Sequence, residues 1–265
     1  MLQAMRFALG LATAVIAAAA AAQQDEVFPA RPVRIVVTSG AGGSSDLNAR
    51  ILAPRLAAMW GQPVVIDNRP GGGFVIGTEL VARAAPTGHT LLVTITNVAQ
   101  HPATRKDLPY DVLKDLAPIS RIHLQQLFFL VDARLPVKSL TDLIAYAKAN
   151  PGKLNFASAG AGTTHHLAGE LFQTLTGTKF NHVPYRGAGP AMQDLVAGHV
   201  DLMFDGLGTS ATQISSGALR GLAVAAPARS PAIPNVPTAK EAGLNNFEVA
   251  TWYALWAPEG TPQPI

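Results

Sequence analysis

The pattern that most constrains this chain is a β-rich run that ends in a glycine turn and leads into a helix, because it occurs twice. The first copy begins at Val33, turns at residues 40–43 and enters a helix at about Ser45. The second begins at Leu154 and turns at residues 160–162. Strands that alternate with helices form parallel sheets. The repeat therefore predicts an α/β protein with two lobes, each of which directs one glycine loop into the cleft between them.

The chain divides into four segments. Residues 1–22 contain one arginine and a short, Ala-rich apolar run, which is typical of a signal peptide cleaved near Ala22. A membrane anchor, the alternative, needs roughly 20 strongly apolar residues. We assign residues 23–123 to the first part of lobe 1 and 124–220 to lobe 2. Residues 221–265 are expected to return to lobe 1, with the strand at 219–224 joining the first sheet. The mature protein is expected in the periplasm.

Composition narrows the classes of function. The chain has 265 residues, of which 48% are hydrophobic and 14% charged, so it can bury a sizeable core. It contains no cysteine, which excludes thiol nucleophiles and cysteine-ligated zinc. The net charge is +3 and the basic residues are scattered, so nucleic acid is not an expected partner. We expect no cofactor and no metal.

The first glycine loop resembles a dinucleotide-binding fingerprint only in part. The third position of G-x-G-x-x-G is Ser45 here, and the acidic residue Asp67 lies too far beyond the glycines. Backbone N–H groups at Gly42 and Gly43, at the positive end of a helix dipole, nevertheless favour an anion. The alternative is a turn that only connects strand to helix, with Asp46 as an acid in the first helical turn.

The second glycine loop offers neutral donors for the same anion. The hydroxyls of Ser158, Thr163 and Thr164 donate hydrogen bonds without a fixed charge, and glycines let ligand oxygens approach main-chain N–H groups. Helix capping is an equally good role for either threonine. Asp205 ends a predicted strand, where α/β sheets bind ligands, although a local cap is an even alternative.

A catalytic function is the second hypothesis. Ser158 lacks the first glycine of the G-x-S-x-G motif, and neither a zinc-protease nor a phosphate-loop motif is present. A hydrolase or transferase acting on a carboxylic ester would use Ser158 with His165 or His166. This alternative stays open beside that of a binding protein.

The chain after residue 22 resembles the Bug family of tripartite tricarboxylate transporter solute-binding proteins. The segments that carry this resemblance include Gly42-Gly43-Ser44-Ser45-Asp46, Asn68-Arg69-Pro70-Gly71, His166-Leu167-Ala168-Gly169-Glu170, His182-Val183-Pro184-Tyr185-Arg186-Gly187 and Gly198-His199-Val200-Asp201-Leu202. Each segment alone is weak evidence for the family, but the segments together and in this order are specific to it.

The resemblance implies a periplasmic binding protein of the type II-like fold, which closes two α/β lobes on a small organic carboxylate. Such a protein is not an enzyme. It passes its ligand to the membrane permease subunits of a tripartite tricarboxylate-type transporter, or serves a sensor protein. By motif position, the implied ligand-binding residues are Thr38, Ser39, Gly42, Gly43, Asp46, Ser158, Gly160, Gly162, Thr163, Thr164, His165 and Asp205.

Three features depart from the family pattern. Thr38-Ser39 stands where relatives carry Pro-Phe or Pro-Tyr, which predicts that an aromatic wall over the ligand is missing. His101-Pro102 replaces a common Asn-Pro. The chain stops at Ile265, where relatives continue for another helical segment, so it is expected to be truncated.

Overall fold

The structure is a computed structural model that describes residues 28–265, so the predicted signal peptide lies outside the described residues. The strands are β1 (Val33–Val37), β2 (Val64–Asn68), β3 (Thr90–Ile95), β4 (Leu116–Gln126), β5 (Phe128–Asp132), β6 (Asn155–Ser158), β7 (Asn181–Pro184), β8 (Leu202–Asp205), β9 (Leu219–Val224) and β10 (Ala250–Pro258). The α-helices are α1 (Ser44–Trp60), α2 (Val75–Ala82), α3 (Asn97–Thr104), α4 (Val112–Asp115), α5 (Leu140–Ala149), α6 (Thr164–Thr176), α7 (Ala188–Ala197) and α8 (Leu207–Ser215). A single 3-10 turn (Gly72–Phe74) leads into α2.

The first lobe is built on a five-stranded sheet in the order β2-β1-β3-β10-β4. β1 is parallel to both β2 and β3, whereas β10 is antiparallel to β3 and β4. Four of the five β1 side chains are buried, as expected for a strand that helices cover on both faces. This arrangement places the end of β1, and the glycine loop that follows it, at the edge that faces the second lobe.

The second lobe repeats the design with the order β7-β6-β8-β5-β9. Its parallel strands are β7, β6 and β8, and β5 is antiparallel to β8 and β9. An aromatic cluster fills this lobe, in which the ring of Phe129 lies 5.0 Å from Phe204 and 4.8 Å from Phe247. The core fixes β6 and β8, whose carboxyl ends carry Ser158 and Asp205.

The expected return of residues 219–224 to the first sheet is wrong. β9 pairs with β5 in the second sheet, and Leu222 and Ala223 are buried in the core of that lobe. The following segment stays there too, since Leu244 and Phe247 belong to the same core. The chain rejoins the first sheet only with β10. The apolar side chains of this strand could be buried in either sheet, so the sequence did not indicate which of the two sheets it joins.

The chain crosses between the sheets at two adjacent points. Leu127 separates β4 from β5, and Val249 precedes β10. The Leu127 N–H donates to the Val249 carbonyl at 3.4 Å, and the Ala225 N–H donates to the Leu127 carbonyl at 2.8 Å. Two neighbouring crossovers are a natural hinge. Within residues 28–265, no helix has the length and apolar character needed to cross a membrane.

Candidate functional site

The lobes are in contact across the cleft, where the first glycine loop lies against Arg186 and the second lies against Gly73 and Asn97. Three hydrogen bonds join them, from Gly40 N–H to the Arg186 carbonyl at 3.2 Å, from Asn97 Nδ2 to the Gly162 carbonyl at 2.9 Å and from Thr164 Oγ1 to Gln100 Oε1 at 3.3 Å. Each bond has one partner in each lobe. The molecule is therefore closed.

Closure leaves a small enclosed cavity between the loops. Its volume is about 10 Å³, which is close to the minimum for a single water molecule. The residues that line it are Ser39, Ser44, Ser45, Phe74, Ile95, Ala159, His165, Ala188 and Tyr253. Because an organic acid is far larger, the lobes must move apart to admit one.

Three buried polar atoms of this cavity have no hydrogen-bond partner among the described residues: Ser39 Oγ, Ser44 Oγ and His165 Nδ1. A buried polar group without a partner costs about 1–3 kcal/mol. Three of them around one cavity indicate a place where a ligand completes the hydrogen bonding, since native cores rarely leave such groups unpaired.

Asp205 holds His165 from behind. The His165 Nε2 lies 3.2 Å from Asp205 Oδ1, and both side chains are almost fully buried. The Asp205 carboxylate also accepts from the Gly206 N–H at 2.8 Å and from Thr209 Oγ1 at 2.6 Å. Its oxygens are thus occupied within the second lobe. Asp205 orients the imidazole and leaves Nδ1 as the free ring nitrogen.

Tyr253 closes the cavity from the first lobe. Burial, reinforced by the nearby Asp205 carboxylate, raises the pKa of Tyr253 far above its ordinary value, so the phenol keeps its proton. The ring also stacks on His123 with centroids 4.6 Å apart. A neutral phenol held in this way is a hydrogen-bond donor without a charge.

The remaining residues predicted in the first loop stabilise the loop itself. Thr38 Oγ1 pairs with Thr94 Oγ1 at 3.0 Å, inside the lobe. Asp46 accepts from the Gly42 N–H at 3.0 Å. Burial alone would raise the pKa of Asp46, but hydrogen bonds from Arg50, Gly42 and Asn68 outweigh it and hold that pKa below its ordinary value. The Asp46 charge is used to fix the turn, and Gly43 precedes α1 as its N-cap.

The second loop is likewise held by its own side chains. Thr163 Oγ1 donates to the Gly160 carbonyl at 2.7 Å and caps α6 by accepting from the His166 N–H at 3.4 Å. The Gly162 N–H donates to His166 Nδ1 at 3.1 Å. Gly160 and Gly162 both have positive φ, at 133° and 76°, where a side chain would be strained.

Ser158 pairs with a histidine other than the two expected. Its Oγ lies 2.6 Å from His182 Nε2 and accepts from the Gly160 N–H at 3.1 Å. Ser158 is fully buried and lines neither the enclosed cavity nor its neighbouring pockets. Burial, and then the neighbouring His166, lower the pKa of His182 to about 4, so the ring is neutral. This pair anchors the loop.

Of the predicted site residues, Ser39 and His165 line the cavity and the others do not. Sequence reasoning placed Ser44 in the first binding loop only through its backbone N–H group, and it left out the aromatic residues Phe74 and Tyr253. The expectation that an aromatic wall is missing is wrong, because these two rings border the cavity from other parts of the chain. A phenylalanine directly after three glycines was the available signal for Phe74. Nothing near Tyr253 marked it, since the strand that carries it returns from a distant part of the sequence.

The described residues contain no group of three or more His, Asp or Glu side chains that could hold a metal ion. Asp205 contacts His165, and its other hydrogen-bond partners are neutral donors, the Gly206 N–H and the Thr209 hydroxyl, which are not metal ligands of the expected kind. The serine hydroxyls at the cavity can donate hydrogen bonds to an anion. When His165 Nε2–H donates to Asp205, Nδ1 of the neutral ring can accept a hydrogen bond from a ligand hydroxyl or a water.

Comparison with known proteins gives the family. Residues 48–265 match the family model described as the tripartite tricarboxylate transporter family receptor. The chain is 41% identical over 257 residues to protein BugT of Bordetella pertussis, covering 96% of this chain and 78% of that protein.

Solved structures agree with this. An R. palustris protein solved with adipate has a TM-score of 0.87 and 36% identity, covering 89% of this chain and 80% of its own. MatC from Rhodopseudomonas palustris, with bound malate, has a TM-score of 0.86 and 36% identity, covering 89% and 81%. The predicted two-lobed α/β fold is confirmed. This chain belongs to the tripartite tricarboxylate transporter receptor family, among the Bug-type periplasmic solute-binding proteins.

Proposed function

We propose that this protein, exported to the periplasm by its N-terminal segment, captures a small organic carboxylate between its lobes. It then delivers the ligand to the permease subunits of a tripartite tricarboxylate-type transporter, or presents it to a sensor protein. The observation that carries the proposal is the convergence of three unpartnered polar atoms on one enclosed cavity. The malate and adipate named for the two solved relatives are both organic carboxylates, which supports the same class of ligand here.

A carboxylate would be held without an arginine or lysine clamp, since neither residue type lines the enclosed cavity. Ser39 and Ser44 each offer a hydroxyl donor. Ser44 also begins α1, so the first N–H groups of that helix and its dipole favour negative charge. Hydrogen bonds to a charged group contribute about 1.5–3 kcal/mol each. They become stronger once closure of the lobes excludes water from the site.

The second candidate, an esterase or transferase, is less well supported. Ser158 has a histidine within hydrogen-bond distance, but both are away from the cavity and the serine is fully buried. A substrate carbonyl has no route to Ser158 Oγ in this closed arrangement. We propose that the protein is not an enzyme.

Binding is tested with the purified mature protein. Succinate, malate and adipate are titrated by calorimetry and by thermal unfolding, and p-nitrophenyl acetate is offered as an ester. We expect at least one acid to bind, with a rise in unfolding temperature; at 100 times its Kd a ligand adds about 2.7 kcal/mol. No ester turnover should occur. Ester hydrolysis that disappears in Ser158→Ala, without acid binding, would favour the second candidate.

A further inference from the structure

The Phe74 side chain forms a partition between two spaces. It lines the enclosed cavity with Ser39 and His165, and it also lines a larger outer pocket of about 320 Å³ on its other side. Ala159 of the second lobe is the only other residue that the two linings share. Phe74 is 2% exposed, so its ring is packed among its neighbours where the two linings meet. Phe74 is thus the one large side chain that the two linings share.

The backbone at Phe74 is one that a phenylalanine rarely adopts. Its φ is 81°, in the left-handed region, after three glycines that also have positive φ. A bulky residue there is strained by about 1–3 kcal/mol, whereas glycine would not be. Phe74 N–H donates to the Gly71 carbonyl at 3.0 Å, and Thr78 Oγ1 donates to the Phe74 carbonyl at 2.8 Å. The surrounding structure therefore holds an aromatic ring at a position suited to glycine.

The outer pocket offers a cationic side chain that the enclosed cavity lacks. Arg186 lines this pocket and is exposed, and within residues 28–265 its guanidinium makes no salt bridge or hydrogen bond. The neighbouring Tyr185 hydroxyl is already committed to Asp194 at 2.6 Å. A carboxylate that reached this pocket would meet Arg186, which recognises such groups by paired hydrogen bonds.

We propose that Phe74 sets the length of the acid that this protein accepts. With the ring in place, an acid bound between slightly wider lobes stays on the inner side of Phe74, and long unbranched dicarboxylates are excluded. Without the ring, the cavity and the outer pocket join, and a second carboxylate reaches Arg186. This inference rests on the proposed function, since it names the substrate class of the same site.

The experiment compares succinate and adipate, with four and six carbons, by calorimetry on four proteins. Wild type should favour succinate by roughly tenfold or more, equivalent to about 1.4 kcal/mol. Phe74→Gly suits the left-handed backbone and removes the ring, so the ratio should fall by at least tenfold through tighter adipate binding. Phe74→Leu is the matched control, which keeps a bulky wall and should keep the wild-type ratio. Arg186→Gln in the Phe74→Gly background should remove most of the adipate gain and leave succinate unchanged.

Two outcomes would overturn the proposal while leaving carboxylate capture intact. One is a wild-type protein that binds adipate as well as succinate, and the other is a succinate-to-adipate ratio that is the same in wild type and Phe74→Gly. Failure of every variant to bind succinate, adipate or malate, with unfolding curves that show folded protein, would instead contradict both this inference and the proposed function.

Discussion

At the scale of single residues, the cavity serines and the capping threonine should respond to mutation in opposite ways. The hydroxyls of Ser39 and Ser44 have no partner within hydrogen-bond distance among residues 28–265, although Ser44 lies near enough to the Tyr253 hydroxyl to offset slightly the rise that burial causes in its pKa. Ser39→Ala therefore removes no hydrogen bond from the unliganded fold, and Ser44→Ala removes at most a weak one. We expect the free energy of unfolding to stay within about 0.5 kcal/mol of wild type. The affinity for the best-bound acid should fall by roughly tenfold or more, because a hydrogen bond to a carboxylate is lost. Chemical denaturation and calorimetry measure the two quantities.

Thr163→Val is the matched control. Its hydroxyl caps α6 and donates to the Gly160 carbonyl, so its removal should cost about 1 kcal/mol of stability. Affinity should change less than in either serine variant, because Thr163 does not line the cavity. The same pattern of losses in all three variants would show that the serines are structural as well.

At the scale of elements, the second glycine loop depends on neutral histidines. The rings of His166 and His182 stack with centroids 4.0 Å apart, and His182 pairs with Ser158 at the end of β6. Burial lowers the pKa of both rings, to about 4 for His182, while the neighbouring Glu170 offsets part of the effect at His166. A histidine whose pKa is depressed in the fold takes up protons mainly on unfolding. Its contribution to stability is therefore complete above about pH 6.5 and is lost as the pH falls toward 4.

We predict that the unfolding temperature of wild type falls between pH 7.5 and pH 5, and that it falls less in His182→Gln. Glutamine can accept the Ser158 hydrogen bond but does not titrate in this range. Ser158→Ala serves as the control, because it removes the same hydrogen bond and keeps the titrating ring. It should lower the unfolding temperature at every pH and keep the wild-type slope. Equal slopes in wild type and His182→Gln would rule out this histidine as a source of acid sensitivity.

The sequence predicted elements better than it predicted the site. The glycine loops, their helices and the two-lobed fold follow from local patterns, since a strand, a tight turn and an amphipathic period each have a short-range signal. The sequence did not predict which sheet β9 joins, because its apolar side chains fit the core of either lobe. For Asp205 the sequence left a residue in the cleft and a local cap as even alternatives, and the carboxylate contacts His165 and also accepts hydrogen bonds from Gly206 and Thr209. Tyr253 was not found because it reaches the cavity by pairing with Ile95, 158 residues earlier in the chain, and no local sequence pattern indicates such a pairing.

At the scale of the whole molecule, binding and closure are one process. The lobes are joined at Leu127 and Val249 on one side and by hydrogen bonds between the loops on the other. Because the closed cavity has room for about one water molecule, an acid enters only when the loops separate. We therefore expect the bound state to be a slightly wider closure, in which the contacts between lobes form again around the ligand that both lobes bind. Any change that weakens lobe contacts should lower affinity, even where it does not touch the ligand.

Asn97 provides the test. Its side chain lies in the first lobe, does not line the cavity, and donates to the Gly162 carbonyl of the second lobe at 2.9 Å. Opening exposes both groups to water, so Asn97→Ala should destabilise only the closed state, by about 0.5–1.5 kcal/mol. We therefore expect roughly a three- to tenfold loss of affinity for the best-bound acid, mainly through faster release, with little change in association rate.

Asn150→Ala is the matched control, because Asn150 Nδ2 donates to the Tyr146 carbonyl at 3.0 Å within one lobe. It should lower stability without changing affinity. Small-angle scattering completes the comparison: wild type should become more compact with saturating ligand, and Asn97→Ala should need more ligand to reach the same radius of gyration. Release rates that are equal in Asn97→Ala and wild type, measured by stopped flow, would mean that the loop contacts do not hold the closed state. The energy of closure would then come from the ligand alone, and affinity would depend only on the residues that line the cavity.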